Sequence, residues 1–353
     1  MPDKNLAESN LFIGSERPDG NRAKGATVAV LGTGSIGSRH LSVLATAQGV
    51  RPLAIPLRSS RRAALERDGL RVCGSLGEAA KKGATHAVIA TDTARHLDDS
   101  LEALRLGLHV LVEKPMAVDA GQGRRLLEEA GRLKRSLYVG CVLRFSESLN
   151  RFRQWLPKVG PVHSVQIECR SYLPDWRPGR DYRDSYSARA GEGGVLRDLI
   201  HEVDYAGWIF GWPSRVSGRL ANLGQLGIEA EEIAELSWEA PGGVRLSLSL
   251  DYLTQPTRRG MKASGRRGTI EWDGVEAKVR LALAGSPVRE FKSAQSRNGM
   301  FLEQARAFLE ATAGGGRSDP RLATGEEGVR ALAVCDAARG ASLAGKEEQA
   351  SYR

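Results

Sequence analysis

Residues 26–47 read ATVAVLGTGSIGSRHLSVLATA, and this stretch decides the fold. Ala26 to Leu31 is a short apolar run rich in branched residues, the pattern of a fully buried strand in a parallel sheet. It runs straight into Gly32-Thr33-Gly34-Ser35-Ile36-Gly37, after which SRHLSVLATA continues as a helix. A glycine triplet at this spacing says little alone, but between a strand and a helix it is a dinucleotide-binding fingerprint. Gly32 permits the tight turn, Gly34 lets the backbone approach a pyrophosphate, and Gly37 lets the helix pack closely on the strand. The first helical turn, with Ser35 and Ile36, offers free N–H groups to the anion.

The strand expected over Pro52 to Leu57 ends where an adenosine ribose would lie. A carboxylate about 20 positions after the glycines would mark NAD. The chain reads Leu57-Arg58-Ser59-Ser60-Arg61-Arg62, with no carboxylate before Glu66. Arg58 and Ser59 suit a 2′-phosphate, so NADP(H) is favoured and NAD(H) remains possible; Arg61 and Arg62 equally suit the start of a solvated helix. Two more strand–helix units follow: His86 to Ala90 ending at Thr91-Asp92-Thr93, and His109 to Val112 ending at Glu113-Lys114-Pro115. With a last strand over Tyr138 to Val142, this repetition predicts a doubly wound parallel sheet. Ligands of such sheets sit beyond the carboxyl ends of the strands, which places Thr91, Glu113 and Lys114 at the cofactor crevice.

At 353 residues the chain exceeds one typical core. The pattern predicts a mobile tail over 1–24, a dinucleotide-binding domain over 25–144 and a substrate-binding, oligomerising domain over 145–353. Hydrophobic content of 41% and charged content of 26% are those of a globular protein, and no apolar run reaches the length of a membrane span. The polar N-terminus lacks a signal-peptide core, and Cys73, Cys141, Cys169 and Cys335 are too scattered for a zinc site, so a reduced, cytoplasmic chain without metal is expected. The net charge of +9 is dispersed among acidic residues, which suits small anionic ligands rather than nucleic acid.

Beyond Arg144 the pattern changes. Leu173 to Ser187 (LPDWRPGRDYRDSYS) is too long for an ordinary connection, and long irregular segments in compact domains tend to be binding loops. Trp176, Arg180, Tyr182 and Tyr186 combine stacking surfaces with an anion-binding guanidinium, as a sugar-like substrate would require. Gly191 to Gly211 (GEGGVLRDLIHEVDYAGWIFG) reads as one capped helix with Asp198, His201, Tyr205 and Trp208 on a face opposite its apolar side. Alternating runs from Arg215 to Leu283 then predict a large, mostly antiparallel open sheet, an α+β second domain.

The glycine fingerprint, Glu113-Lys114-Pro115 after a strand, and the His201 helix occur in an order that resembles the glucose–fructose oxidoreductase and inositol dehydrogenase (Gfo/Idh/MocA) family. The resemblance spans about residues 25–345 and includes Ser264-Gly265-Arg266-Arg267-Gly268-Thr269-Ile270-Glu271. It implies hydride transfer between a nicotinamide and a sugar, cyclitol or related alcohol. Lys114 would orient the substrate, and His201 would take the hydroxyl proton. The family's supporting aspartate usually stands four residues before the histidine, where this chain has Arg197. Asp198, three before, and Asp204, three after, are the candidate replacements. A homodimer or homotetramer through the second sheet is expected; the rival is a non-catalytic cofactor and sugar sensor of the same fold.

Overall fold

In the computed structural model, residues 25–313 and 318–352 are described; the expected tail over 1–24 lies outside them. β1 (Ala26–Leu31) occupies an interior position of a six-stranded sheet, between β2 (Val50–Ile55) and β3 (His86–Ile89). β4 (His109–Val112) and β5 (Leu137–Val139) extend it beyond β3, all in parallel register. Val28, Ala29 and Val30 are fully enclosed, as expected of a strand covered on both faces. The connecting helices are α1 (Ser35–Thr46), α2 (Ser59–Arg67), α3 (Leu76–Lys81), α4 (His96–Arg105) and α5 (Ala120–Arg132). Because β2 and β3 flank β1 on opposite sides, chain direction diverges there and a crevice opens at the strand ends.

After α6 (Glu147–Trp155) comes β6 (Val162–Arg170), then α7 (Val195–Asp198) and α8 (Ile200–Phe210). The second sheet also takes in β7 (Arg215–Ala221), β8 (Ile233–Ala240), β9 (Val244–Asp251), β10 (Arg258–Gly265), β11 (Gly268–Asp273), β12 (Lys278–Leu283) and β13 (Arg289–Lys292). Its nine strands run in the order β13-β12-β11-β10-β6-β9-β8-β7-β15, with β15 spanning Glu348–Gln349. Neighbours are antiparallel except β6 and β9, which pair in parallel at the middle of the sheet. Along β8, Ala234, Leu236, Trp238 and Ala240 point into the core and alternate with Glu235, Ser237 and Glu239 on the open face. This strict alternation is the sequence cue of a sheet with one dry side.

Two expectations need correction. Residues 145–353 are not a single unit, because α9 (Arg297–Thr312), β14 (Ala323–Thr324) and α10 (Gly325–Ala344) return to the first domain. Phe301 and Phe308 of α9 pack edge-on to His40, His86 and Tyr138, and β14 adds an antiparallel edge strand to β5. α10, started by a Thr324–Glu327 capping box, lies against both domains: its Val329 and Leu332 meet Gly123 of α5, and its Ala338 backbone lies on Gly218 of β7. At Gly218 a side chain would collide with the Ala338 carbonyl, so glycine there permits the close approach.

The helix expected over Gly191–Gly211 is also broken. It begins only at Val195 and is interrupted at Leu199, whose φ of −97° and ψ of 28° end α7 before α8 starts. Nor does α8 keep a solvated face: Tyr205 is fully buried with its ring edge-on to Trp272 of β11. Helical periodicity separates the faces correctly, but it does not reveal that a second sheet covers the polar one.

Candidate active site

The three glycines meet three different constraints. Gly32 has a φ of +87°, and a Cβ there would lie 2.5 Å from the Ala90 carbonyl oxygen at the end of β3. At Gly37 a Cβ would fall 1.8 Å from the Gly32 carbonyl oxygen, so helix and turn touch backbone to backbone. A Cβ on Gly34 would meet no protein atom within 4 Å. The turn is therefore closed where it packs and open at the N-terminus of α1, whose first turn carries no acidic residue. That is the shape and polarity a pyrophosphate needs. Ser35 and Ile36 stand in this first turn.

At the end of β2, Arg58 caps α2 and Ser59 opens it, both exposed. Arg61 reaches back to donate to the Thr33 carbonyl (3.2 Å) and the Ser38 hydroxyl (3.3 Å), tying α2 to the glycine turn. Arg62 instead pairs with Glu66 on the solvent side. Thr91, beyond the end of β3, spends its hydroxyl on Asp99, and its carbonyl meets His96 Nε2 at 3.0 Å.

Glu113 follows β4 and is buried. Its carboxylate meets His40 Nε2 at 2.7 Å and accepts weakly from the Lys114 N–H, and Gly140 lies so close that a Cβ there would strike it. Burial works to raise this carboxyl group, but the His40 contact and the Lys114 charge outweigh it and hold Glu113 below the usual range. Glu113 thus fixes the turn from which Lys114 projects. The Lys114 Nζ donates to the backbone carbonyl of Asp198 at 2.7 Å. The break between α7 and α8 makes this contact available, because a continuous helix would have used that carbonyl internally.

His201 is the second residue of α8, just beyond the break. Its Nδ1 is buried without a partner, leaving Nε2 as the nitrogen open to the cleft. Burial, followed by the charges of Lys114, Arg259 and Arg297, pushes the imidazole well below its ordinary pKa. Arg259 of β10 is itself paired at 2.8 Å with Glu202, which is fully enclosed beneath the site. The ring is therefore neutral near pH 7, the state in which it accepts a proton.

The carboxylates are arranged differently from the expectation. Asp198 does not turn its side chain to His201; its Oδ2 accepts from the Tyr252 hydroxyl at 2.5 Å and its Oδ1 is buried unpaired. Tyr186 also lies against this carboxylate, and burial followed by the Asp198 charge raises its phenol pKa well above normal. Asp204 is removed from the cleft altogether. It takes both ends of the fully buried Arg144 guanidinium, at 2.9 and 2.7 Å, while Arg144 also reaches Glu327 of α10 at 2.8 Å. It locks α8 to the linker between the domains and is not placed to touch a substrate or to support His201.

The long loop does fold toward the strand ends. Trp176 donates to the Ser171 hydroxyl and stands edge-on to Tyr252, while the Tyr182 hydroxyl is committed to the Leu226 carbonyl. Trp176, Arg180, Tyr182 and Tyr186 line one cavity of about 380 Å³, together with Arg58 and Asp92 from the first domain. His40, Tyr252, Arg259 and Glu202 carry no local motif; each enters the site by a tertiary contact. Among the described residues, no group of three or more His, Cys, Asp or Glu is placed to hold a metal, and no helix is long and apolar enough to cross a membrane.

Comparison with known proteins agrees with this fold. Residues 26–141 match a family model described as an oxidoreductase family with an NAD-binding Rossmann fold, and residues 157–271 match a GFO/IDH/MocA C-terminal domain. The chain is 26% identical over 322 residues to the rhizopine catabolism protein MocA of Rhizobium meliloti, covering 88% of this chain and 93% of that protein. It is 28% identical over 336 residues to a myo-inositol dehydrogenase of Streptomyces leeuwenhoekii, covering 90% and 98%. Among solved structures, a levoglucosan dehydrogenase in complex with NADH superposes with a TM-score of 0.82 at 15% identity, over 92% of this chain and 99% of that one.

Proposed function

The chain belongs to the GFO/IDH/MocA family of oxidoreductases, and on that premise we propose that it moves a hydride between NADP(H) and a ring hydroxyl of a cyclitol, sugar or sugar derivative. The observation that carries this reading is the convergence of Lys114 and His201 on one cleft, with the Lys114 ammonium on the carbonyl three residues before the histidine. The relatives named for inositol oxidation support the substrate class.

When bound, the nicotinamide supplies the acceptor for the hydride that leaves the carbinol carbon. The chain supplies the rest. The glycine turn and the N-terminus of α1 hold the pyrophosphate, and Arg58 with Ser59 meets the ribose 2′-phosphate. Glu113 and its His40 partner fix the turn that aims Lys114. The Lys114 ammonium then lies against the reacting oxygen and stabilises the negative charge that grows as the hydroxyl proton departs. His201, kept neutral by its surroundings, receives that proton at Nε2; in the reductive direction it returns it. Tyr252 donates to the Asp198 carboxylate and braces Trp176 from behind, and Trp176 with Tyr186 forms the substrate wall.

The open face of the second sheet suits pairing with another copy of the chain. Gln166, Ser237, Ser247 and Lys262 line a broad concavity there of about 1140 Å³, and light scattering of the purified protein reads the homodimer or homotetramer directly. All four cysteines are buried and free, which suits a reducing compartment such as the cytoplasm.

The test is Lys114→Ala assayed with a cyclitol and sugar panel. kcat/KM is expected to fall about 10²–10⁴-fold while the Kd for NADPH, read by nucleotide fluorescence, stays within about threefold. Turnover equal to the wild type would overturn the assignment.

A further inference from the structure

We propose that Arg177 and Arg180, both on the second domain's long loop, close over the 2′-phosphate of NADP(H) opposite Arg58, so that cofactor specificity is shared between the domains. The inference rests on the preference for NADP(H) proposed above and extends it to residues that no dinucleotide-binding motif contains.

The argument begins with the cavity. Its first-domain bank is Arg58, three residues beyond β2, and Asp92, three residues beyond β3. Arg58 marks the adenosine end of the crevice and Asp92 lies across the β1 switch point from it, while Lys114 and His201 do not line the cavity. Its second-domain bank is the loop from Leu173 to Arg189. The loop is docked on the first domain by Glu192, whose carboxylate accepts from the Ala94 N–H at 3.1 Å, and nearby by Arg197, which donates to the Val118 carbonyl at 2.9 Å. A volume of about 380 Å³ is that of a small-ligand site rather than a surface wrinkle.

Charge bookkeeping separates the arginines. Asp181 is answered by Arg183 at 3.6 Å. Arg189 is held by Glu192 at 2.6 Å and feels Asp92 and Asp184 as well, so the acidic side chains of the lining have their cations nearby. Arg58, Arg177 and Arg180 remain, and among the described residues none of them makes an ion pair. Arg177 is instead braced over the Tyr186 ring, 5.7 Å from its centroid. Three guanidinium groups without an ion pair around one cavity that includes Arg58, the residue expected at the ribose, make a site for a dianion with several acceptor oxygens, which a 2′-phosphate is and a ribose hydroxyl is not. The same loop carries Trp176 and Tyr186, so a cofactor phosphate held by Arg177 also steadies the substrate wall.

The experiment titrates NADPH and NADH into the full chain by calorimetry, comparing wild type with Arg58→Ala, with Arg177→Ala/Arg180→Ala, and with Arg183→Ala from the same loop but outside the cavity. The wild type is expected to prefer NADPH. The double variant should lose about tenfold or more in NADPH affinity and keep its NADH affinity within about twofold, as Arg58→Ala does. Arg183→Ala should leave the NADPH-to-NADH ratio unchanged. Hydrogen exchange over residues 173–189 should slow more with NADPH than with NADH. If Arg58→Ala abolishes the preference but the double variant retains it, the shared site is refuted and the NADP(H) reading stands. If the wild type shows no preference and Arg58→Ala changes nothing, the NADP(H) reading itself fails. A double variant that raises only the KM for substrate would also overturn the proposal, by assigning these arginines to an anionic substrate.

Discussion

Gly34→Ala should separate cofactor binding from folding. Gly34 has a φ of −70° and a ψ of −164°, a backbone conformation that alanine adopts without strain. Its added Cβ would meet no protein atom within 4 Å. Two small effects on stability oppose each other: alanine is a poorer helix N-cap, costing about 1 kcal/mol, and it stiffens the unfolded chain, contributing about 0.4–1 kcal/mol. The Tm should therefore stay within about 4 °C of the wild type. The methyl group does, however, stand where a pyrophosphate must approach the backbone. An overpacking cost of about 1–3 kcal/mol in the complex corresponds to roughly 5- to 150-fold in the Kd for NADPH. Gly37→Ala is the opposite case, since its Cβ would be driven to 1.8 Å from the Gly32 carbonyl oxygen and backbone must move. It should cost about 3 kcal/mol or more and lower Tm by roughly 5 °C or more. Thermal melts and nucleotide fluorescence titrations read both variants. Wild-type NADPH affinity in Gly34→Ala would refute the assignment of that open space to the cofactor.

In the oxidative direction, kcat/KM should hold level as pH falls through 6.5 and drop only well below it, because His201 has its pKa depressed and remains neutral there; an acid limb at or above 6.5 would contradict the described site. His86 is pushed down to about 4 by burial and by neighbouring His109, so its contribution to stability is complete above pH 6.5 and is lost as pH falls toward 4, which urea unfolding across that range measures. Arg144→Met should destabilise by about 3–5 kcal/mol because it strands a buried Asp204, and adding Asp204→Leu should recover much of that in denaturant melts. Equal losses in the single and double variants would show that the pair is not coupled as described.

The first domain was legible because its evidence is local. A buried strand, a glycine turn and a helix follow one another without interruption, and each glycine's role depends on neighbours a few residues away or on the adjacent strand. The strands of the second sheet were legible for the same reason: period-two alternation over β8 and β9 reports one dry face regardless of which strand lies beside which. Partnership in space was not legible. Periodicity placed Asp198 and His201 on one face, but the break at Leu199 turned the Asp198 carbonyl to Lys114 and its carboxylate to Tyr252, 54 residues away. Asp204 looked equally available until Arg144 claimed it from 60 residues away.

By itself the sequence determined the kinds of elements, the cofactor fingerprint and the chemical identities of Lys114 and His201, all of which depend on residue type and short spacing. Tertiary structure alone decided that the C-terminal helices return to the first domain and which carboxylate meets which cation. It also decided that the long loop faces Arg58. Side-chain pairing depends on distances between segments far apart in the chain, and a buried charge takes whichever partner the completed fold brings within hydrogen-bond reach.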